Sequence, residues 1–163
     1  MTMTTFVGGA GELYQGDLDL GRRAAELLAA DELGAGVVVE ELHYGAVAVA
    51  QRIAELRPTA FVLVGAIARG RAPGTVLRRE VVADARPAAE VQRSVEQAVT
   101  GYVDLDLILD VAMGFGALPA HTVCIEVEPA TTEPSEHLSD VGERALAEAV
   151  AMVRAEVSAA VDR

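Results

Sequence analysis

The chain has 163 residues, of which 52% are apolar, with a mean hydropathy of +0.30. That is enough to build a sizeable core in a single domain over residues 1–163, and it excludes a disordered chain. A formal charge of −12 argues against a nucleic-acid partner, because such binding depends on neutralising phosphates.

The longest apolar runs have the length of strands, so no segment is expected to span a membrane. No basic region precedes an apolar stretch at the amino terminus, and the cytoplasm is the expected location. Cys124 is the only cysteine, so no disulfide can form within the chain, and its apolar flanks predict a buried thiol. All thirteen basic residues are arginine.

Thr4 to Val7 predicts a first strand, followed by a glycine-rich loop from Gly8 to Gly21 that carries Glu12, Asp17 and Asp19. Gly8-x-x-Gly11 is not the dinucleotide spacing, and no Lys-Ser/Thr follows for a phosphate loop. Leu20, Ala24, Leu27 and Leu28 give a first helix its apolar face. Val37 to Val39 is a continuous β-branched run, as in a strand covered on both faces. It ends in a polar loop containing Glu40, Glu41, His43 and Tyr44. Val49, Ile53 and Leu56 mark a second helix, and Ala60 to Ile67 a buried strand. The short connection through Pro73-Gly74 makes Thr75 to Val82 a strand antiparallel to its predecessor. Helices follow over 88–99 (Val91, Val95, Ala98, Val99) and 104–115. Thr122 to Val127 is the last strand, and Ser139 caps a final helix with Leu146, Val150, Val153 and Val157 inward. Alternating strands and helices predict an α/β three-layer αβα sandwich with a mixed, mainly parallel, five-stranded sheet.

Several short motifs, taken in order, carry a resemblance. Gly9-Ala10-Gly11-Glu12, then Asp17-Leu18 and Gly21, stand at the first strand's exit. Gly65-Ala66 and Pro73-Gly74-Thr75 follow the third strand. Asp104-Leu105-Asp106-Leu107 leads to Gly116-Ala117-Leu118-Pro119, and Glu128-Pro129 to Leu138-Ser139. Nearly end to end, the chain resembles the hydrogenase maturation endopeptidases, which remove a carboxyl-terminal extension from the nickel-loaded large subunit of nickel–iron hydrogenase.

The resemblance implies a nickel site made of an acid in the first loop, an Asp ending the third strand and a His before the fourth helix. Carried over one by one, these positions fall on Leu18, Gly65 and Gly101. Leucine offers only carbon and glycine only its backbone carbonyl, so a degenerate member without metal or other cofactor is expected. The first expected function is therefore non-catalytic binding of a hydrogenase large subunit or a maturation factor. Asp17, Asp19, Glu40, His43, Tyr44 and Tyr102 are the candidate cleft-lining residues. The alternative is an active nickel-dependent endopeptidase whose metal has moved to Asp17, Glu40 and His43. A third reading is another hydrolase or phosphorylase, with Arg69 and Arg71 holding an anion.

Asp17 is expected to support its loop or the positive end of the first helix, and Asp104 and Asp106 the fourth helix. Tyr14, Tyr44 and Tyr102 on the loops suggest a contact surface. His121 and His137 are expected to be structural or solvated.

Overall fold

The computed structural model describes residues 3–100 and 103–163. Five strands, β1 (Thr5–Ala10), β2 (Val37–Glu41), β3 (Ala60–Ala66), β4 (Val76–Glu80) and β5 (His121–Val127), form one sheet in the order β2-β1-β3-β5-β4. The helices are α1 (Leu20–Ala30), α2 (Ala46–Leu56), α3 (Ala88–Val99), α4 (Leu105–Gly114) and α5 (Asp140–Val161). The β1–β2, β1–β3 and β3–β5 pairs are parallel, and β4 runs antiparallel to β5. The architecture is the expected αβα sandwich with a mixed, mainly parallel sheet.

Alternation along each strand divides the core in two. Phe6, Phe61, Leu63 and Cys124 face α2 and α4. The Phe6 and Phe61 rings stack with centroids 5.3 Å apart. Val7, Val62, Val64, Val123 and Ile125 face α1 and α5, meeting Leu20, Ala24, Leu28, Leu146, Val150, Val153 and Val157. Ser139 caps α5 as expected, its Oγ accepting from the Gly142 N–H at 2.9 Å. Among the described residues no helix is long and apolar enough to cross a membrane.

Several expectations need correcting. Gly8, Gly9 and Ala10 belong to β1 rather than to a loop. The glycine at position 9 reflects helix packing: a Cβ there would lie 2.1 Å from the Gly21 carbonyl oxygen, because α1 rests directly on the strand. The β2 strand continues through Glu40 and Glu41. Its valines do meet both core halves, yet all five residues are half-buried because the strand sits at the sheet edge. Leu27 and Val99 point to solvent, and α3 buries only Ala98. β4 has the expected direction, but its hydrogen-bonded neighbour is β5, which lies between it and β3.

Candidate functional site

The chain leaves β1 toward β2 on one side and reaches β3 on the other, so the connections diverge beyond the carboxyl ends of β1 and β3. Open α/β sheets form their ligand crevice at such a point. An open cleft of about 330 Å³ lies there. Glu12 and Leu18 line it from the first loop, Ala66 to Arg69 from the exit of β3, and Val103 to Asp106 from the start of α4. A second cleft, of about 540 Å³, lies toward β2 and shares Gly11, Glu12 and Val103 with the first. It adds Leu13, Glu41 and His43.

The amino end of α4 aims at the first cleft. Asp104 caps it, its Oδ1 accepting from the Leu107 N–H at 2.7 Å, and Asp106 sits in the first turn. Both acids are where the sequence places them. Burial, and then the charge of Asp104, push the Glu12 carboxyl above its ordinary value.

An ionic network that local sequence patterns do not reveal lies beside this cleft. Glu126 projects from β5, fully buried, toward the α4 side. Arg69 donates to both its oxygens, from Nε at 2.8 Å and Nη2 at 3.0 Å. The same guanidinium grips Asp106 from Nη1 at 3.0 Å and Nη2 at 2.8 Å. Arg71 adds a 2.5 Å bond to Glu126 and Arg79 one at 3.4 Å. Burial alone pushes the Glu126 carboxyl up, but the bonds from Arg69 and Arg71 and the charges of Arg69 and Arg79 outweigh it and hold it at about 2. Arg69 spends most of its five N–H donors on two carboxylates, which leaves little to hold an incoming anion. Glu126 is the one charge within the apolar run 122–127, and that was the available signal.

The remaining candidate residues are dispersed. Asp17 is fully buried and faces the start of α5 rather than either cleft. Its Oδ1 accepts from the Ser139 N–H at 2.8 Å, and its Oδ2 from the Ala130 N–H at 2.9 Å and the Ser139 hydroxyl at 2.8 Å. It therefore ties its own loop to the start of α5 and does not support α1. Asp19 is held bidentately by Arg22, at 2.7 and 2.5 Å. Glu40 accepts from Arg52 at 2.5 and 3.0 Å and from the Tyr44 hydroxyl at 3.2 Å. The Arg52 bond leads in holding the Glu40 carboxyl below its ordinary value. Burial, and then the Glu40 charge, push the Tyr44 phenol to about 12. His43 lines the second cleft, its ring edge-on to Tyr44 at 5.5 Å between centroids. Asp17, Glu40 and His43 are thus not brought together as a displaced metal site. Gly101 and Tyr102 lie outside the described residues. Burial holds the Cys124 thiol at about 12, so it is an inert core residue.

The metal implied by the resemblance does not fit these residues. Leu18 does line the first cleft, with carbon only. A Cβ on Gly65 would stand 2.7 Å from the Ala10 carbonyl oxygen and 2.9 Å from Leu105 Cδ2, so the backbone itself closes the position to a side chain. Among the described residues no three or more His, Cys, Asp or Glu side chains are grouped to hold a metal ion.

Solved structures similar to this one carry a consistent description. A hydrogenase 2 maturation peptidase from a Thaumarchaeota archaeon superposes with a TM-score of 0.66 at 20% identity, over 95% of this chain and 98% of that one. The hydrogenase maturating endopeptidase HybD from E. coli gives 0.68 at 18%, over 96% and 93%. An endopeptidase from Escherichia coli gives 0.71 at 18%, over 93% and 90%. The fold is that of the hydrogenase maturation peptidases. No protein-family model matches the chain, and no curated protein matches its sequence.

Proposed function

We propose that this chain is a non-catalytic counterpart of the hydrogenase maturation peptidases, which binds a hydrogenase large subunit or a component of its maturation machinery. One observation carries the reading. At the end of β3, where a maturation peptidase is expected to place a carboxylate, Gly65 is packed against the Ala10 carbonyl and Leu105, with no space for a side chain. Leu18, which lines the first cleft, offers carbon where a donor would be needed. What the cleft offers is shape and a lining of apolar and charged residues of both signs, suited to holding a polypeptide segment.

The test combines three measurements on the whole chain. Calorimetric titration with Ni²⁺, Zn²⁺ and Cd²⁺ near neutral pH is expected to give no one-to-one binding in the micromolar range. Incubation with a nickel-loaded large-subunit precursor is expected to leave its tail intact by mass spectrometry. Mixing the two proteins is expected to yield a complex that survives gel filtration. Tail removal that depends on added metal would overturn the reading.

A further inference from the structure

The loop between β1 and α1 presents two apolar side chains at considerable structural cost. Leu13 and Tyr14 are 59% and 61% exposed, adjacent to each other at its tip. Tyr14 holds a left-handed backbone, φ 63°, a conformation that costs a non-glycine residue energy. The loop is nonetheless fixed from several directions. The Glu12 N–H bonds to the Leu18 carbonyl at 3.0 Å and closes it on itself. The Ser135 N–H bonds to the Tyr14 carbonyl at 3.1 Å, and the Asp17 N–H to the Thr131 carbonyl at 3.0 Å. A β-bridge joins Gln15 to Ser135, and buried Asp17 ties the loop's far end to Ala130 and Ser139. None of these bonds needs a large apolar side chain at position 13 or 14. The bracing therefore does not depend on the Leu-Tyr side chains at the tip, and a turn held in this way is already organised for docking.

We infer that Leu13 and Tyr14 form the anchor by which this chain docks on its protein partner, entering an apolar pocket rimmed by Lys and Arg. The pocket's rim follows from charge. The second cleft, which Leu13 itself lines, carries Glu12 and Glu41 and no basic residue but His43 among its described lining. The bracing segment adds exposed Glu133 and Glu136. Tyrosine is a favoured anchor residue because it buries a large rigid surface for few rotatable bonds, and a complementary charged rim speeds encounter.

The inference rests on the binding reading above and takes the hydrogenase large-subunit precursor as the partner. The experiment titrates that precursor with the wild-type chain, with the double variant Leu13→Ser/Tyr14→Gly, and with Leu27→Ser, an exposed leucine on α1 that serves as a control. Thermal melts accompany each. The double variant is expected to melt no lower than wild type, since glycine accepts the left-handed turn. It is expected to bind about 30-fold more weakly or worse, while Leu27→Ser binds as wild type. Wild-type affinity is expected to fall as salt is raised. Equal binding by the double variant would overturn the anchor and leave the binding reading standing. If wild type fails to bind the precursor, the anchor is overturned together with the large-subunit half of the binding reading, and a maturation component remains as the partner.

Discussion

Glu126→Gln removes one negative charge from the buried network while keeping the side chain's size. The Glu126 carboxyl is lowered from an ordinary 4.5 to about 2 in the folded chain. At roughly 1.4 kcal/mol per pH unit, the ionised form stabilises the fold by about 3 kcal/mol at neutral pH. The sign follows from the depressed value: the contribution is complete above the unfolded value and is lost as pH falls through the folded one. By linkage about half is gone at pH 3. Urea unfolding of wild type and variant at intervals from pH 7 to pH 3 measures the difference directly. The expected gap is about 3 kcal/mol at pH 7, a shift of about 6–12 °C in a thermal melt for a chain of this length, narrowing steadily below pH 5. A gap under about 0.5 kcal/mol at pH 7, or one that stays constant down to pH 3, would refute the assignment of the network to stability.

The packing dictates four more outcomes. Gly65→Ala forces the Ala10 carbonyl and Leu105 apart and is expected to cost about 1–3 kcal/mol in urea unfolding. Gly65→Asp is expected to cost at least as much without conferring micromolar Ni²⁺ binding in calorimetry. Asp17→Ala strands the Ala130 and Ser139 N–H groups and should cost about 3 kcal/mol, with faster proteolysis between residues 130 and 139 as the local readout. The Cys124 thiol should resist a disulfide reagent at pH 8 in the native protein and react at once in denaturant, since burial holds it at about 12.

The elements with strong side-chain patterns were legible in the sequence: α3 over 88–99, the Ser139 cap, the inner face of α5, and the reversed direction of β4. What failed did so for physical reasons. Gly8 and Gly9 have no side chain to alternate, so the end of β1 is fixed by its pairing with β2 and β3 and by the approach of α1. The edge position of β2 depends on sheet order, which three valines do not encode. In the candidate site, Leu18 and His43 do line the clefts. The three acids Asp17, Asp19 and Glu40 do not, because each is taken by a partner. For Asp17 that partner stands 122 residues along the chain, beyond any local pattern. Residue type marks a potential ligand, but only the fold decides whether its lone pairs are already occupied.

Gly65 and Glu126 are register partners on adjacent parallel strands, so their side-chain positions share the sheet face under α4. One strand away from the sealed position, the same face therefore does carry a buried carboxylate. Its oxygens, however, are filled by Arg69, Arg71 and Arg79, and Arg69 also takes up Asp106. A divalent ion approaching Glu126 would have to displace guanidinium groups that need no dehydration to stay where they are. Arginine remains charged at any working pH and matches carboxylates in a fixed fork, so the exchange is unfavourable on both electrostatic and geometric grounds. Restoring an acid at position 65 would leave this intact, because the neighbouring negative charge is already neutralised from within the chain. Building a metal site here would require opening the Gly65 backbone contact and freeing Glu126 from Arg69, Arg71 and Arg79 together, and each change by itself should fail.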